Sequence, residues 1–193
     1  MTTSHSLNYP SLDPDLEWAG AALLLTTDTH LVLMKRSLDM PTHRGQMAFF
    51  AGGKKEYETD PIEVAKREFF EESSVVSDVI EFEGVLNRVF TASSQAIMPV
   101  VGRLEIPLED FFAQAESNGE WTDLIAVPWS LLQDQSKWEW AYHANAVGRK
   151  ILFFPLMPHT YLHQTGDSEK SFLLWGATAR MVWDYLSLYY RSR

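Results

Sequence analysis

The chain has 193 residues, 46% hydrophobic and 13% aromatic, enough to bury a full core, and its composition excludes collagen-like and disordered classes. Lys and Arg number 16 against 26 Asp and Glu, a formal charge of −10, which argues against a broad basic surface and against a nucleic-acid partner. Cysteine is absent, so disulfides, thiolate metal sites and cysteine nucleophiles are excluded.

Residues 1–15, with Pro10 and Pro14, read as an irregular arm, and residues 16–193 as one domain. The amino terminus MTTSHSLNYP is too polar for a signal peptide, and the longest apolar run, Trp18 to Leu25, is too short to span a bilayer. A soluble, cytoplasmic protein without a membrane partner is the expectation. Apolar runs at Trp18 to Thr26 and Leu31 to Met34 predict an antiparallel strand pair. Further strands are predicted at Met47 to Phe50, Val79 to Val89, Ala96 to Leu104, Leu124 to Val127 and Ile151 to Phe154. Asp60 as cap, Pro61 at the first position and Glu63 completing a capping box predict a helix from Pro61 to Glu72. Shorter helices are expected over Leu108 to Ala115 and from Pro128 to Leu132. A last helix runs from Ala177 to Tyr190, where Met181, Val182, Tyr185, Leu188 and Tyr189 recur at helical spacing. Strands interleaved with helices give an α/β or α+β sandwich.

On the first helix, Glu68, Glu71 and Glu72 fall within an arc of about 100° beside the stripe of Ile62, Ala65 and Phe69. Three carboxylates so close resist joint ionisation unless a cation compensates, and hard divalent cations prefer oxygen ligands. A solvated acidic face is the alternative. Ala51-Gly52-Gly53-Lys54-Lys55 precedes the helix, and its glycines permit a tight turn with close backbone approach to a ligand. The six histidines, His5, His30, His43, His143, His159 and His163, show no paired metal-ligand spacing. The seven tryptophans and seven methionines are read as core residues.

The segment GGKKEYETDPIEVAKREFFEESSV resembles the Nudix box: Gly, five residues, Glu, seven residues, then Arg-Glu-apolar-any-Glu-Glu-any-Gly-apolar. Arg67-Glu68-Phe69-Phe70-Glu71-Glu72 matches its core. Counted from Gly52, five residues lead to Glu58 but eight separate Glu58 from Arg67. Counted from Gly53, Thr59 takes the Glu position. Ser74 replaces the final Gly. Upstream, LMKRSLDMPTHRGQMAFFAGG resembles the segment preceding the box in coenzyme A diphosphatases, with Arg36, Ser37, Gly45, Gln46, Ala48, Phe49 and Gly52 in one ungapped register. That register carries one extra loop residue and so favours Glu58. Pro41 stands where a second Arg is expected, and Phe50-Ala51 replaces Pro-Gly. Ala96 to Gly102 and Trp175 to Ala179 are similar to a strand and to the start of the last helix in the same relatives.

The resemblance implies a Nudix α/β/α sandwich with a mixed sheet and a loop-helix-loop catalytic motif. It implies Mg²⁺ or Mn²⁺ held by Glu68 and Glu72, with Glu71 as third ligand or water-orienting base and Glu58 completing the loop side, a solvated loop Glu being the alternative for Glu58. Arg67, expected to point away from the carboxylate arc, is placed with the catalytic group as a structural brace of the loop against the helix, pairing with a loop carboxylate. Glu120 is a candidate late ligand or general base, with a surface turn residue as the alternative. Arg36, Arg44, Gly52 and Gly53 are candidates for binding substrate phosphates, with a loop Arg facing solvent as the favoured alternative for Arg44. The implied activity is diphosphatase cleavage of coenzyme A or acyl-coenzyme A to 3',5'-ADP and 4'-phosphopantetheine. Competing readings are a nucleoside diphosphate sugar or ADP-ribose diphosphatase, and a non-catalytic Nudix-fold binding or regulatory module. The partner expected is a small diphosphate substrate; a homodimer is left open.

Overall fold

The computed structural model describes residues 16–142, 150–166 and 168–188. The arm 1–15, His5, His143, Tyr189 and Tyr190 lie outside the described residues.

Two long apolar strands open the fold, β1 (Gly20–Thr26) and β2 (His30–Arg36), paired antiparallel as their pattern predicts. The predicted strand at Met47 to Phe50 is two short ones, β3 (Met47–Ala48) on β2 and β4 (Phe50–Gly53) on β1. Helix α1 (Pro61–Ser73) follows. Asp60 caps it by accepting from the Ile62 N–H at 2.9 Å, whereas Glu63 pairs with Lys66 at 2.7 Å instead of closing a capping box.

The predicted strand at Val79 to Val89 divides into β5 (Ile80–Val85) and β6 (Val89–Phe90), both antiparallel to β7 (Ala96–Leu104). Leu86 leaves the β5 ladder to donate to the Pro99 carbonyl, where a proline can still accept but not donate. Helix α2 (Leu108–Gln114), β8 (Trp121–Pro128) and a one-turn α3 (Trp129–Leu132) come next. The remaining strands are β9 (Glu139–Tyr142), β10 (Lys150–Leu156), β11 (Leu162–His163) and β12 (Phe172–Trp175), before α4 (Gly176–Leu188).

A nine-stranded mixed sheet runs in the order β11, β8, β2, β1, β7, β5, with β3, β4 and β6 attached to β2, β1 and β7. Its parallel pair is β1 with β7, from Gly20 opposite Ile97 to Thr26 opposite Arg103. Alternation of side chains divides the core. Ala21, Leu23, Leu25, Val32, Met34, Val100 and Leu124 face Val64, Ala65 and Phe69 of α1 and Phe111 of α2. Ala22, Leu24, Leu31, Leu33, Val101 and Ile125 face α4 and a second sheet, β12-β10-β9. The second layer is therefore a helix plus three strands, of which only β10 was expected from the sequence.

Candidate active site

β4 carries Ala51, Gly52 and Gly53 against Ala22, Ala21 and Gly20 of β1. A Cβ on Gly52 would run into the Glu68 carboxylate of α1, and one on Gly20 into the Gly52 carbonyl. These glycines let strand and helix touch at the carboxylates. The Ala51 N–H donates to Glu72 Oε2 at 2.9 Å, tying the far end of the acidic face to the same strand.

Arg67 gathers the loop. Its Nε donates to Glu58 Oε1 at 2.8 Å, and its Nη2 to Glu58 Oε2 at 3.1 Å and to the Gly53 carbonyl at 2.9 Å. The bracing expected of Arg67 is present, but its expected direction is not. Its Nη1 also donates to Glu68 at 2.6 Å and Glu71 at 3.1 Å, because the forked guanidinium spreads its donors over both sides of the helix edge. Glu58, not Thr59, meets Arg67, and its second oxygen accepts from the Lys55 N–H at 2.6 Å. The longer loop is absorbed by this turn. The hydrogen bond from Arg67 holds the Glu58 carboxyl down at about 2.

Glu72 is buried to 1% exposure. Burial pushes its carboxyl up to about 8 against the opposing Ala51 hydrogen bond, and the charges of Glu120 and Glu68 push the same way. Burial likewise raises Glu68, despite Arg67. Glu120 reaches this field from the turn before β8. Its backbone carbonyl accepts from the Ser37 N–H at 2.7 Å, and its carboxylate lies 3.6 Å from Arg36. Glu68, Glu72 and Glu120 thus share one field, with Glu71 at its solvent side, 47% exposed. Among the described residues, no three such side chains converge as a ready-made metal cluster; Arg67 holds Glu58, Glu68 and Glu71.

Ala51, Gly52 and Gly53 also wall a cavity of about 760 Å³ on the α4 side of the sheet, lined further by Arg36, Phe49 and Trp175. Arg36 contributes a buried Nε with no hydrogen-bond partner. Arg44 is not brought to this cavity: it is exposed, and its Nε donates to the Met40 carbonyl at 2.6 Å, closing its own loop. Several cavity residues escaped the sequence reading. Trp140 and Trp175, read as core, line the cavity together with Arg88, Lys150 and Arg180. They come singly from separate elements, so no local motif announces them. Gly20 and Trp121 were likewise missed.

The NUDIX domain family model matches residues 17–140. The chain belongs to the Nudix family. An uncharacterized Nudix hydrolase NudL of Pectobacterium atrosepticum is 31% identical over 125 residues, 54% of this chain and 65% of that protein. Nudix hydrolase 22, chloroplastic, of Arabidopsis thaliana is 26% identical over 160 residues, 80% of this chain and 48% of that protein. The chain thus spans between about half and two thirds of the length of these relatives. The crystal structure of DR0079 from Deinococcus radiodurans is 16% identical, with a TM-score of 0.52 over 92% of this chain and 88% of that one, a likeness of fold. In this Nudix chain, Ser74 stands at the glycine position of the box with φ 60°, the left-handed turn that ends α1.

Proposed function

We propose that this Nudix chain is a metal-dependent diphosphatase whose reacting groups are the carboxylates of α1 and the β8 turn. One observation carries the reading: the Ala51-Gly52-Gly53 strand is at once the wall of the carboxylate field and the wall of the cavity. A diphosphate at that strand would place its linkage beside the carboxylates and its body in the cavity.

Nudix hydrolases use divalent metal ions, and the donor set fits one. Glu68 and Glu72 are hard oxygen ligands whose burial disfavours their charge until a cation offsets it. Glu68 and Glu72 would hold Mg²⁺ or Mn²⁺, with Glu71 and Glu58 as further oxygen donors. When bound, the ion supplies charge at a phosphoryl oxygen and acidifies a water. Glu120 takes the proton of the attacking water, with Glu71 as the other carboxylate available for that role. The water oxygen bonds to phosphorus, the anhydride P–O bond breaks, and the leaving phosphate takes its electron pair. Arg36 donates to the phosphate through a guanidinium that matches its geometry, while Arg67 keeps the Gly53 turn and the Glu58 loop in place.

Coenzyme A or an acyl derivative is the favoured substrate, on the residues from Arg36 to Gly52, giving 3',5'-ADP and 4'-phosphopantetheine. ADP-ribose and nucleotide sugars are the competing substrates. A hydrolysis screen of these compounds with Mg²⁺ and Mn²⁺, products identified by mass, tests the reading. Cleavage of coenzyme A at the diphosphate is the expected result. Faster cleavage of ADP-ribose or a nucleotide sugar would change the substrate, and no turnover of any diphosphate would leave a binding module.

A further inference from the structure

The charge of the cavity opposes that of the chain. In a protein with 26 acidic against 16 basic residues, the cavity is lined by Arg36, Arg88, Lys150 and Arg180, with Asp184 the carboxylate facing them among the described residues. Arg36 belongs to the carboxylate end through Glu120. The other three come from elsewhere: Arg88 precedes β6, Lys150 opens β10, and Arg180 lies on α4, which packs against both strands.

Register measures how far the backbone at Arg88 stands from the glycine strand. Gly53 pairs with Gly20, Gly20 with Ile97, and Ile97 with Val89, a single row across four strands. Three strand spacings put Val89, next to Arg88, about 14 Å from the glycine strand. Lys150 and Arg180 stand on β10 and α4, in the layer packed over that sheet rather than in the sheet that carries the glycine strand, so with Arg88 they face another part of the bound molecule.

Their contacts leave donor capacity. Arg88 lies over the Phe90 ring at 5.2 Å and uses Nη1 on the Glu17 carbonyl at 3.0 Å. Lys150 lies over the Tyr142 ring at 5.4 Å. Arg180 gives its Nε to both oxygens of Asp184 at 2.8 Å, while its terminal nitrogens are not committed to that pair. Trp140, 48% exposed and also lining the cavity, supplies an apolar surface between β9 and α4, with its ring 6.4 Å from Trp183.

We propose that Arg88, Lys150 and Arg180 form a second anion subsite, which takes a phosphomonoester carried by the substrate on the far side of its body from the scissile diphosphate. The subsite rests on the diphosphatase reading for its orientation, but its affinity is measurable without turnover. Asp184 competes with the anion: its carboxylate takes the Nε of Arg180 and repels an incoming phosphate.

Calorimetric titration in EDTA tests the subsite with two pairs of compounds that differ by one phosphomonoester: coenzyme A and dephospho-coenzyme A, and 2'-phospho-ADP-ribose and ADP-ribose. At least one phosphorylated member is expected to bind roughly 10- to 100-fold more tightly than its partner, the range of charge-assisted phosphate contacts. The combined variant Arg88→Gln, Lys150→Met and Arg180→Gln should bring that ratio below about threefold, Asp184→Asn should raise it, and Arg44→Gln should leave it unchanged. Equal affinities within both pairs in the wild-type protein, no binding of any of the four compounds, or a ratio that survives the combined variant would overturn the subsite. Absence of metal-dependent hydrolysis alongside a preserved ratio would instead overturn the diphosphatase reading and leave the subsite standing.

Discussion

The indole N–H of Trp121 donates to the backbone carbonyl of Glu72 at 2.7 Å. This bond joins the end of the acidic helix to the strand that begins beside Glu120. Trp121→Phe leaves that buried carbonyl without its donor, at a cost of about 1–3 kcal/mol in unfolding free energy. It is also expected to lower kcat about tenfold by loosening Glu120. Glu120→Gln alone should lower kcat roughly 100-fold with little change in KM if Glu120 is the base. On that background Trp121→Phe should add no further loss; an additive loss in kcat would place its effect elsewhere.

Glu72 titrates at about 8 rather than its usual 4.5. A folded-state value raised in this way means that the metal-free fold binds a proton the unfolded chain has released, so its stability falls as pH rises from about 4.5 to about 8. Melting temperatures of the EDTA-treated protein should decline across that window, and Glu72→Gln should flatten the decline. The same variant should lose more than about 100-fold in kcat, together with the stabilisation by Mg²⁺ expected of the wild-type protein. Turnover near wild type in Glu72→Gln would remove this residue from the site.

Gly52→Ala puts a methyl group where the Glu68 carboxylate lies. Because the clash is with the far end of a side chain rather than with backbone, Glu68 can swing aside, and the expected outcome is a folded protein. Its apparent metal affinity should fall at least about tenfold, consistent with displacement of a ligand. Unaltered metal dependence would show that Glu68 need not sit against the strand.

Ser74 adopts φ 60° at the end of α1 and donates its N–H to the Phe70 carbonyl at 2.9 Å. An L-residue here costs about 1 kcal/mol relative to glycine. Ser74→Gly should therefore stabilise the protein by about that amount in chemical denaturation, without altering kcat.

Asp123, on β8, is 2% exposed and accepts from Lys170 at 2.6 Å, Thr122 at 2.7 Å and His163 Nε2 at 3.0 Å. The Thr165 N–H donates to His163 Nδ1, so the ring proton sits on Nε2 and points at Asp123. Burial raises the Asp123 carboxyl, but the bonds from Lys170, Thr122 and His163 outweigh it and leave it at about 2 against a usual 3.8. A lowered value stabilises the fold above pH 3.8, and that contribution, about 2 kcal/mol, is lost as pH falls toward 2. Asp123→Asn should shift the acid-unfolding midpoint; an unchanged midpoint would assign acid lability to other carboxylates.

The helix and its acidic face were legible because they are written locally: Asp60, Pro61 and the Arg67-Glu68 pattern lie within one stretch of chain. The loop register was not fixed by spacing alone, and it took the Arg67 fork to select Glu58 over Thr59. β9 escaped notice because it is exposed along its whole length and shows no buried alternation. β12 was too short to stand out after a polar stretch. Both Arg36 and Arg44 are phosphate-binding candidates in sequence, with a solvent-facing loop Arg as the alternative for Arg44; Arg36 continues β2 toward Glu120 while Arg44 is exposed and folds back on Met40. The cavity was illegible for a different reason, since Arg88, Lys150 and Arg180 become neighbours only when α4 packs between β6 and β10.

The parallel pairing of β1 with β7 also sets the order in which this protein acquires its chemistry. The Thr26 hydroxyl donates to the Gly102 carbonyl across 76 residues of chain, and such a contact forms only after a large loop has closed, which slows folding. The capped helix can form early from its local signals, but the strand that receives Glu72 and shapes the cavity hangs on β1. The proposed site therefore cannot be assembled from the local signals of α1 alone: its strand wall exists only once that long loop has closed.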